Sequence, residues 1–167
     1  MIQWQYYPRS EAPTEMARQV VTAFSAAKGI DSAEQDDPSN TILASVASGL
    51  VALGFEVETG KKAEEKIKVP VLFGLNGRIE KYFDADAFHR CEGFVVEVEA
   101  GRGRVNNQFL KDLFQACMMH DVYYLGIAIR NTYKGTKDFE VICRFFDTLY
   151  SSNRLQLPLK GILIIGY

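Results

Sequence analysis

Residues 80–104 read EKYFDADAFHRCEGFVVEVEAGRGR and place four carboxylates on one predicted β-hairpin. The acids are Asp84, Asp86, Glu97 and Glu99. Strand interiors disfavour aspartate, and like charges on facing strands repel, so this segment opposes its own folding unless a positive group binds there. The sequence therefore predicts a cation site on the hairpin.

The spacing of the acids suggests which of them face one another. With a turn centred on residues 91–92, Asp86 lies opposite Glu97 and Asp84 lies opposite Glu99. The two-residue period of a strand then puts all four on one face, whereas a slip of one residue divides them between the faces. Carboxylate oxygens suit Mg²⁺ or Mn²⁺ better than Zn²⁺, so we expect one of these two cations.

Hydrophobic periodicity along the rest of the chain predicts an α/β fold. Asn76 and Gly77 form a strong hairpin-turn signal between two of the strands. We expect a mixed central sheet with an αβββαβ core, in which a helical crossover leads to a parallel strand and helices cover both faces. The predicted helices span residues 14–27, 41–55, 104–121 and 137–152, and the predicted strands span residues 55–60, 69–74, 78–88, 94–101, 122–130 and 159–167.

Length and composition favour one globular domain over residues 1–167, because 47% of the residues are hydrophobic and 12% are aromatic. The three cysteines are widely spaced and form no CxxC pair, which argues against a zinc cage or a disulfide framework. No apolar run is long enough to span a bilayer, and the first residues are polar and aromatic, unlike a signal peptide. We expect a cytoplasmic protein with no membrane partner.

The net charge of -2 gives no overall attraction to nucleic acid, so any such binding must come from local groups. Five side chains flank the acidic hairpin in sequence and could contact a phosphate backbone or bases. These candidate nucleic-acid-binding residues are Lys61, Lys62, Arg102, Arg104 and Asn107. His89 is the imidazole nearest to the acids and is interpreted as a turn or surface histidine.

The motif and the order of elements together resemble the PD-(D/E)xK superfamily of restriction-endonuclease-like nucleases. The resemblance rests on an Asp on one strand, a Glu-x-Glu at the end of the next strand, and then an amphipathic helix and a buried strand, within residues 40–130. The whole chain also resembles a bacterial protein family of unsettled function that is related to this superfamily. The resemblance implies Mg²⁺-dependent hydrolysis of phosphodiester bonds, with DNA as the expected partner.

Carried over to this sequence, the resemblance makes Asp86 or Asp84 the first metal-binding acid and Glu97 the second. Glu99 occupies the position that usually holds a lysine, which is a departure from the superfamily pattern. The resemblance suggests Lys111, on the polar face of the following helix, as a relocated positive charge. The arginines at positions 102 and 104 are alternatives for that role.

Three functional classes remain open from the sequence. The first is a Mg²⁺-dependent nuclease, and the second is a catalytically inactive member of the same fold that binds nucleic acid or protein. A hydrolase with a carboxylate pair, such as a glycosidase, is a weaker third, because the single indole, Trp4, is far from the acids in sequence. A chain of 167 residues has little room for a separate target-recognition domain, so a homodimer is a further possibility.

Overall fold

The computed structural model describes residues 1–30, 38–60, 62–100 and 107–167. Their strands are β1 (Gln3–Tyr7), β2 (Glu56–Val57), β3 (Ile67–Phe73), β4 (Ile79–Ala85), β5 (Ala87–His89), β6 (Phe94–Glu99), β7 (Tyr124–Ile129) and β8 (Gly161–Gly166). Their helices are α1 (Glu15–Ala26), α2 (Ser39–Ala52), α3 (Gln108–Met118) and α4 (Asp138–Ser152), with short 3-10 turns at Ala63–Glu65 and Leu75–Gly77. Within these ranges every helix is too short or too polar to cross a membrane.

A six-stranded mixed sheet lies at the centre, in the order β1-β8-β7-β6-β5-β2. Strands β6, β7 and β8 are parallel, and the remaining pairs are antiparallel. Helix α3 connects β6 to β7, and α4 connects β7 to β8, as parallel pairing requires. The predicted mixed sheet with helical crossovers is confirmed.

Successive side chains of the central strands point to opposite faces of the sheet, and each face has its own hydrophobic core. In β8, Ile162 and Ile164 belong to the core under α3 and α4, whereas Leu163 and Ile165 belong to the core under α1 and α2. All residues of β8 are buried, which agrees with its nearly continuous apolar sequence. Helices therefore cover both faces of the sheet.

The starts of the helices agree with the sequence prediction to different degrees. The Thr14 side chain accepts a hydrogen bond from the Ala17 N–H at 3.1 Å and caps α1, as its sequence predicts. Helix α2 begins directly after Pro38, two residues earlier than predicted. Helix α3 begins after Asn107, whose φ of 53° is left-handed, and residues 104–106 of the predicted helix lie outside the described residues.

Strand β1 was not predicted from the sequence. It pairs antiparallel with β8, so that Gln3 lies opposite Gly166 and Tyr7 lies opposite Ile162. Its exposed Trp4 alternates with polar neighbours, and only Tyr6 and Tyr7 are buried. So short a strand is specified by its distant partner more than by its own sequence.

The predicted turn at Asn76 and Gly77 is confirmed. Both residues have positive φ values, 59° and 73°, and they join β3 to β4. The two strands form a separate two-stranded sheet, hereafter the β3–β4 hairpin, whose register shifts at two places near Leu72. Large apolar side chains are exposed around its tip, at Leu72, Phe73, Leu75 and Ile79.

The predicted strand over residues 78–88 is in fact two strands, and this corrects the pairing expected for Asp84. Strand β4 ends at Ala85 and pairs with β3, so Asp84 lies opposite Lys68 and not opposite Glu99. Strand β5 begins at Ala87 and joins the central sheet. The chain thus passes from one sheet to the other at residue 86.

The register of the β5–β6 hairpin is the predicted one. Ala87 lies opposite Val96 and His89 lies opposite Phe94, which centres the turn on residues 91–92. One step further along this register, residue 86 is level with residue 97. The expected relation between Asp86 and Glu97 therefore holds, although the backbone ladder stops just before it.

Candidate active site

A cavity of about 260 Å³ opens where β4 and β5 diverge, beside the end of β6. The four predicted carboxylates and the predicted lysine all line it: Asp84, Asp86, Glu97, Glu99 and Lys111. The structure thus brings together the side chains that the sequence singled out, although Asp84 reaches the cavity from the other sheet. The site lies between the central sheet, the base of the β3–β4 hairpin and helix α3.

Asp86 is held in place by the backbone of β6. Its Oδ2 accepts a hydrogen bond from the Val98 N–H at 2.8 Å, while its own carbonyl accepts one from the Glu58 N–H at 2.8 Å. The Val98 N–H lies beyond the last backbone pair between β5 and β6, so the Asp86 carboxylate serves as its acceptor in place of a backbone carbonyl. This hydrogen bond compensates for the divergence of β4 and fixes the carboxylate at the cavity.

Alternation along β6 decides which way Glu97 and Glu99 point. Val96 and Val98 belong to the core under α1 and α2, so the two glutamates lie on the opposite face, which α3 and α4 cover. Both glutamates are partly buried. The helix that follows β6 therefore packs over two acidic side chains.

Crowding and burial raise the pKa values of these acids. Burial, together with the neighbouring acids Glu58 and Asp112, raises the pKa of Asp86 to about 6 despite the Val98 hydrogen bond. Burial and the neighbouring Asp112 raise the pKa of Glu99 to about 8. The pKa of Glu97 is also well above its usual value, because of burial, Asp86 and Asp112. The cavity without a cation therefore retains protons near neutral pH, as a set of repelling carboxylates should.

These raised pKa values predict that the cation-free protein loses stability as pH rises. Below about pH 4.5, Glu99 is protonated whether the chain is folded or not. Between about pH 4.5 and about pH 8, only the folded state keeps the proton on Glu99. The folded state then binds more protons, so the unfolding free energy falls as pH rises through this range.

Thermal unfolding in EDTA between about pH 5 and about pH 8 measures this slope. We expect Glu99→Gln to reduce the slope, because the substitution removes one of the titrating groups. Glu64→Gln, at an exposed glutamate that does not line the cavity, should leave it unchanged. An identical slope in Glu99→Gln and the wild type would contradict the assignment.

An ion pair that the sequence did not reveal forms one wall of the cavity. Lys66 Nζ lies 2.7 Å from Glu58 Oε1, and the Glu58 side chain is only 7% exposed. The hydrogen bond to Glu58 raises the pKa of Lys66. Lys66 lies in a charged segment of mixed sign, residues 61–68, which is more typical of a solvated loop, and Glu58 lies in the predicted strand over residues 55–60. The sequence therefore carries no signal of this ion pair.

Asp112 of α3 is a further lining residue that the sequence did not reveal. It is only 3% exposed and lies on the buried stripe of Phe109, Leu113 and Ala116. Its Oδ1 is 3.9 Å from the Nζ of Lys111, and its carboxyl group is hydrogen-bonded to that of Glu99. An acid three residues after Phe109 on an otherwise apolar stripe is a signal that could have identified it.

Two of the five predicted nucleic-acid contacts belong to the described residues, and these two lie away from the cavity lining. Lys62 and Asn107 are exposed, and neither lines the cavity. The remaining candidates, Lys61, Arg102 and Arg104, lie outside the described residues. His89, interpreted from the sequence as a turn or surface histidine, is the last residue of β5. Its Nδ1 accepts a hydrogen bond from the Glu92 N–H at 3.2 Å, and its ring packs against Phe55.

The carboxylate oxygens at the cavity are the kind of ligand that a hard divalent cation prefers, although their positions do not yet form a binding arrangement. Across the described ranges, no three histidine, cysteine or acidic side chains meet in a metal-binding arrangement. The cavity nevertheless offers carboxylate oxygens with no imidazole or thiol among its lining residues, the set that Mg²⁺ and Mn²⁺ prefer. The buried Asp112 Oδ2 has no hydrogen-bond partner among the described atoms. Oxygen ligands are thus present, and side-chain rotation would be needed to converge them.

No protein-family model matches the sequence, and no curated protein sequence matches it. Among solved structures, the chain is similar to the crystal structure of restriction endonuclease BglII complexed with a DNA 16-mer, with a TM-score of 0.52. The chain has a restriction-endonuclease-like fold. The alignment covers 99% of this chain and 75% of the BglII chain at 14% sequence identity. At this identity the likeness concerns the fold, and function has to be argued from the residues of the cavity.

Proposed function

We propose that the protein is a nuclease that hydrolyses phosphodiester bonds of DNA with the help of Mg²⁺ or Mn²⁺. The observation that carries this proposal is that Asp86, Glu97, Glu99 and Lys111 all line one cavity. Acids that raise one another's pKa values are costly to keep together, and a divalent cation would relieve that cost. The fold shared with a DNA restriction endonuclease supports DNA as the substrate class.

Each cavity residue has a distinct role in this proposal. Asp86 and Glu97 would hold the cation, with Asp86 oriented by the Val98 N–H, and the exposed Asp84 would be a further ligand. Bound Mg²⁺ would supply positive charge beside the phosphate and activate a water for attack. Lys111 is half-exposed at the rim, where its ammonium group can approach a phosphate oxygen.

Glu99 is the residue whose role departs most from the superfamily pattern. It stands where a lysine is usual and hydrogen-bonds with Asp112. In our proposal it keeps Asp112 in place and lends negative charge to the cation, while Lys111 supplies the positive charge from the helix. Exposed Asn107, at the start of the same helix, is a candidate contact to the nucleic acid.

A catalytically inactive nucleic-acid- or protein-binding module is the second candidate function. It is favoured by one observation, the lack of a preassembled three-ligand arrangement within the described part of the chain. In such a module the raised pKa values would keep the acids partly protonated, and the cavity would need no cation. Homodimerisation is compatible with either function and would double the contact surface offered to DNA.

The test is incubation of the purified chain with single-stranded and double-stranded DNA in Mg²⁺, Mn²⁺ or EDTA. We expect cleavage with either cation and none in EDTA. In parallel, Mn²⁺ at a hundred times its Kd should raise the unfolding free energy by about 2.7 kcal/mol. Asp86→Asn should abolish that rise without lowering stability in EDTA, because it removes a ligand and also relieves repulsion.

The outcomes separate the two functions. DNA binding without cleavage, and without stabilisation by either cation, would favour the inactive module. A large loss of stability of Asp86→Asn in EDTA would instead mean that Asp86 serves mainly as the acceptor for the Val98 N–H. Cleavage that persists in EDTA would contradict the proposed metal dependence.

A further inference from the structure

Asp112 is a buried acid whose local environment does not account for its burial. Only 3% of it is exposed, and its neighbours on the same helical stripe, Phe109, Leu113 and Ala116, are all apolar. Removing a carboxylate from water costs several kcal/mol unless hydrogen bonds and opposite charges compensate. An apolar side chain at this position would continue the stripe at no such cost.

The partners that the structure provides compensate it only in part. The Lys111 ammonium group is 3.9 Å from Oδ1, and its side chain is 55% exposed, so this ion pair is long and screened by water. Glu99 shares a hydrogen bond with Asp112, but two carboxyl groups can hydrogen-bond only if one holds a proton. The buried Oδ2 atom of Asp112 has no hydrogen-bond partner among the described atoms.

The position of Asp112 in the fold completes the argument. Glu97 and Glu99 point from the sheet toward the helices, and Asp112 lines the same cavity from the helix above them. A cation between them would therefore be approached by oxygens from both layers. A cation in this position would compensate the buried charge and occupy the free coordination site of Oδ2.

We propose that Asp112 is a ligand of the divalent cation, contributed by helix α3 opposite the strand acids. This inference rests on the proposed function, because it takes the cation of that function as given. It assigns the helix a share of the metal site in addition to its lysine. It also explains why an acid occupies a position that faces the hydrophobic core.

The first experiment measures Mn²⁺ affinity directly, by isothermal titration of the purified chain. Loss of a residue that only supports a metal ligand weakens metal binding by roughly 10- to 100-fold. Loss of a ligand itself should weaken Mn²⁺ binding by at least as much. We expect this loss in Asp112→Asn. The matched control is Asp138→Asn, at an aspartate that is equally buried but hydrogen-bonded to Thr136 and remote from the cavity. The control should retain wild-type affinity.

The second experiment tests direct coordination through the identity of the ligand atom. A thiolate prefers softer cations than a carboxylate does. We therefore expect Asp112→Cys to lose Mn²⁺ affinity and to gain Cd²⁺ affinity. A new sulfur-to-cadmium absorption in the ultraviolet, relative to the wild type with its three cysteines, would report the bond. If Asp112→Asn fails to fold, Asp112→Cys still tests whether residue 112 binds the cation.

The results distinguish this inference from the proposed function. If the wild type binds Mn²⁺ and both Asp112 variants bind it equally well, Asp112 is not a ligand, while the proposed function stands. If the wild type binds no Mn²⁺, the proposed function fails and this inference fails with it. Lower stability of Asp112→Asn in EDTA with unchanged Mn²⁺ affinity would show a purely structural role.

Discussion

Glu97→Gln is expected to lower the rate of Mg²⁺-dependent DNA cleavage by about 10³-fold or more, because the glutamine removes a charged cation ligand from the centre of the cavity. The same substitution should leave the unfolding free energy in EDTA unchanged or slightly higher. Glu97 is crowded by Asp86 and Asp112, and a neutral side chain relieves that repulsion. Single-turnover cleavage and thermal unfolding measure the two effects.

Two other variants provide comparisons for the loss of cleavage rate in Glu97→Gln. Lys111→Ala should cost about 10²-fold, since one positive group near the phosphate is lost while the cation site remains. Glu92→Gln, at an exposed turn residue of the same β5–β6 hairpin, should cleave like the wild type. Wild-type cleavage by Glu97→Gln would remove Glu97 from the site. A greater loss in Lys111→Ala than in Glu97→Gln would reverse the proposed roles.

Lys66→Ala is expected to lower the unfolding free energy by about 3 kcal/mol, because it leaves the buried carboxylate of Glu58 without its partner. The Glu58 side chain is only 7% exposed, and Lys66 Nζ is 2.7 Å from it. For a chain of this length the melting temperature should fall by about 6–12 °C. Thermal and urea unfolding measure the change.

Two comparisons isolate the ion pair as the cause. Lys68→Ala removes an exposed lysine that lies over the Tyr82 ring and should cost no more than about 1 kcal/mol. The double variant Glu58→Gln with Lys66→Ala should recover part of the loss, because no uncompensated charge remains buried. If the double variant is less stable than Lys66→Ala alone, the glutamate has a structural role of its own.

Much of the site could be predicted because β-strands impose a strict alternation. The register of the β5–β6 hairpin followed from the turn at residues 91–92 and from the valines that alternate with Glu97 and Glu99. A slip of one residue would have turned those valines toward the cavity and both glutamates into the core under α1 and α2. The position of Lys111 followed in the same way from helical spacing on α3.

Other parts depend on contacts that a local pattern does not encode. A strand that continues and a strand that changes partner at Asp86 have the same alternation, so the passage between the two sheets was not predicted. Strand β1 is specified by pairing with β8, from the other end of the described chain. Asp112 was overlooked because an acid next to Lys111 resembles part of the polar face of a helix.

The β3–β4 hairpin also affects how the protein behaves in concentrated solution. An isolated pair of strands with apolar side chains at its tip is the kind of edge at which another chain can add and start an aggregate. Pro70 lacks an N–H donor, and its carbonyl is already bonded to the His120 N–H at 2.8 Å. The irregular register near Leu72 further disrupts the edge. These backbone features oppose the addition of a third strand, while the tip stays exposed.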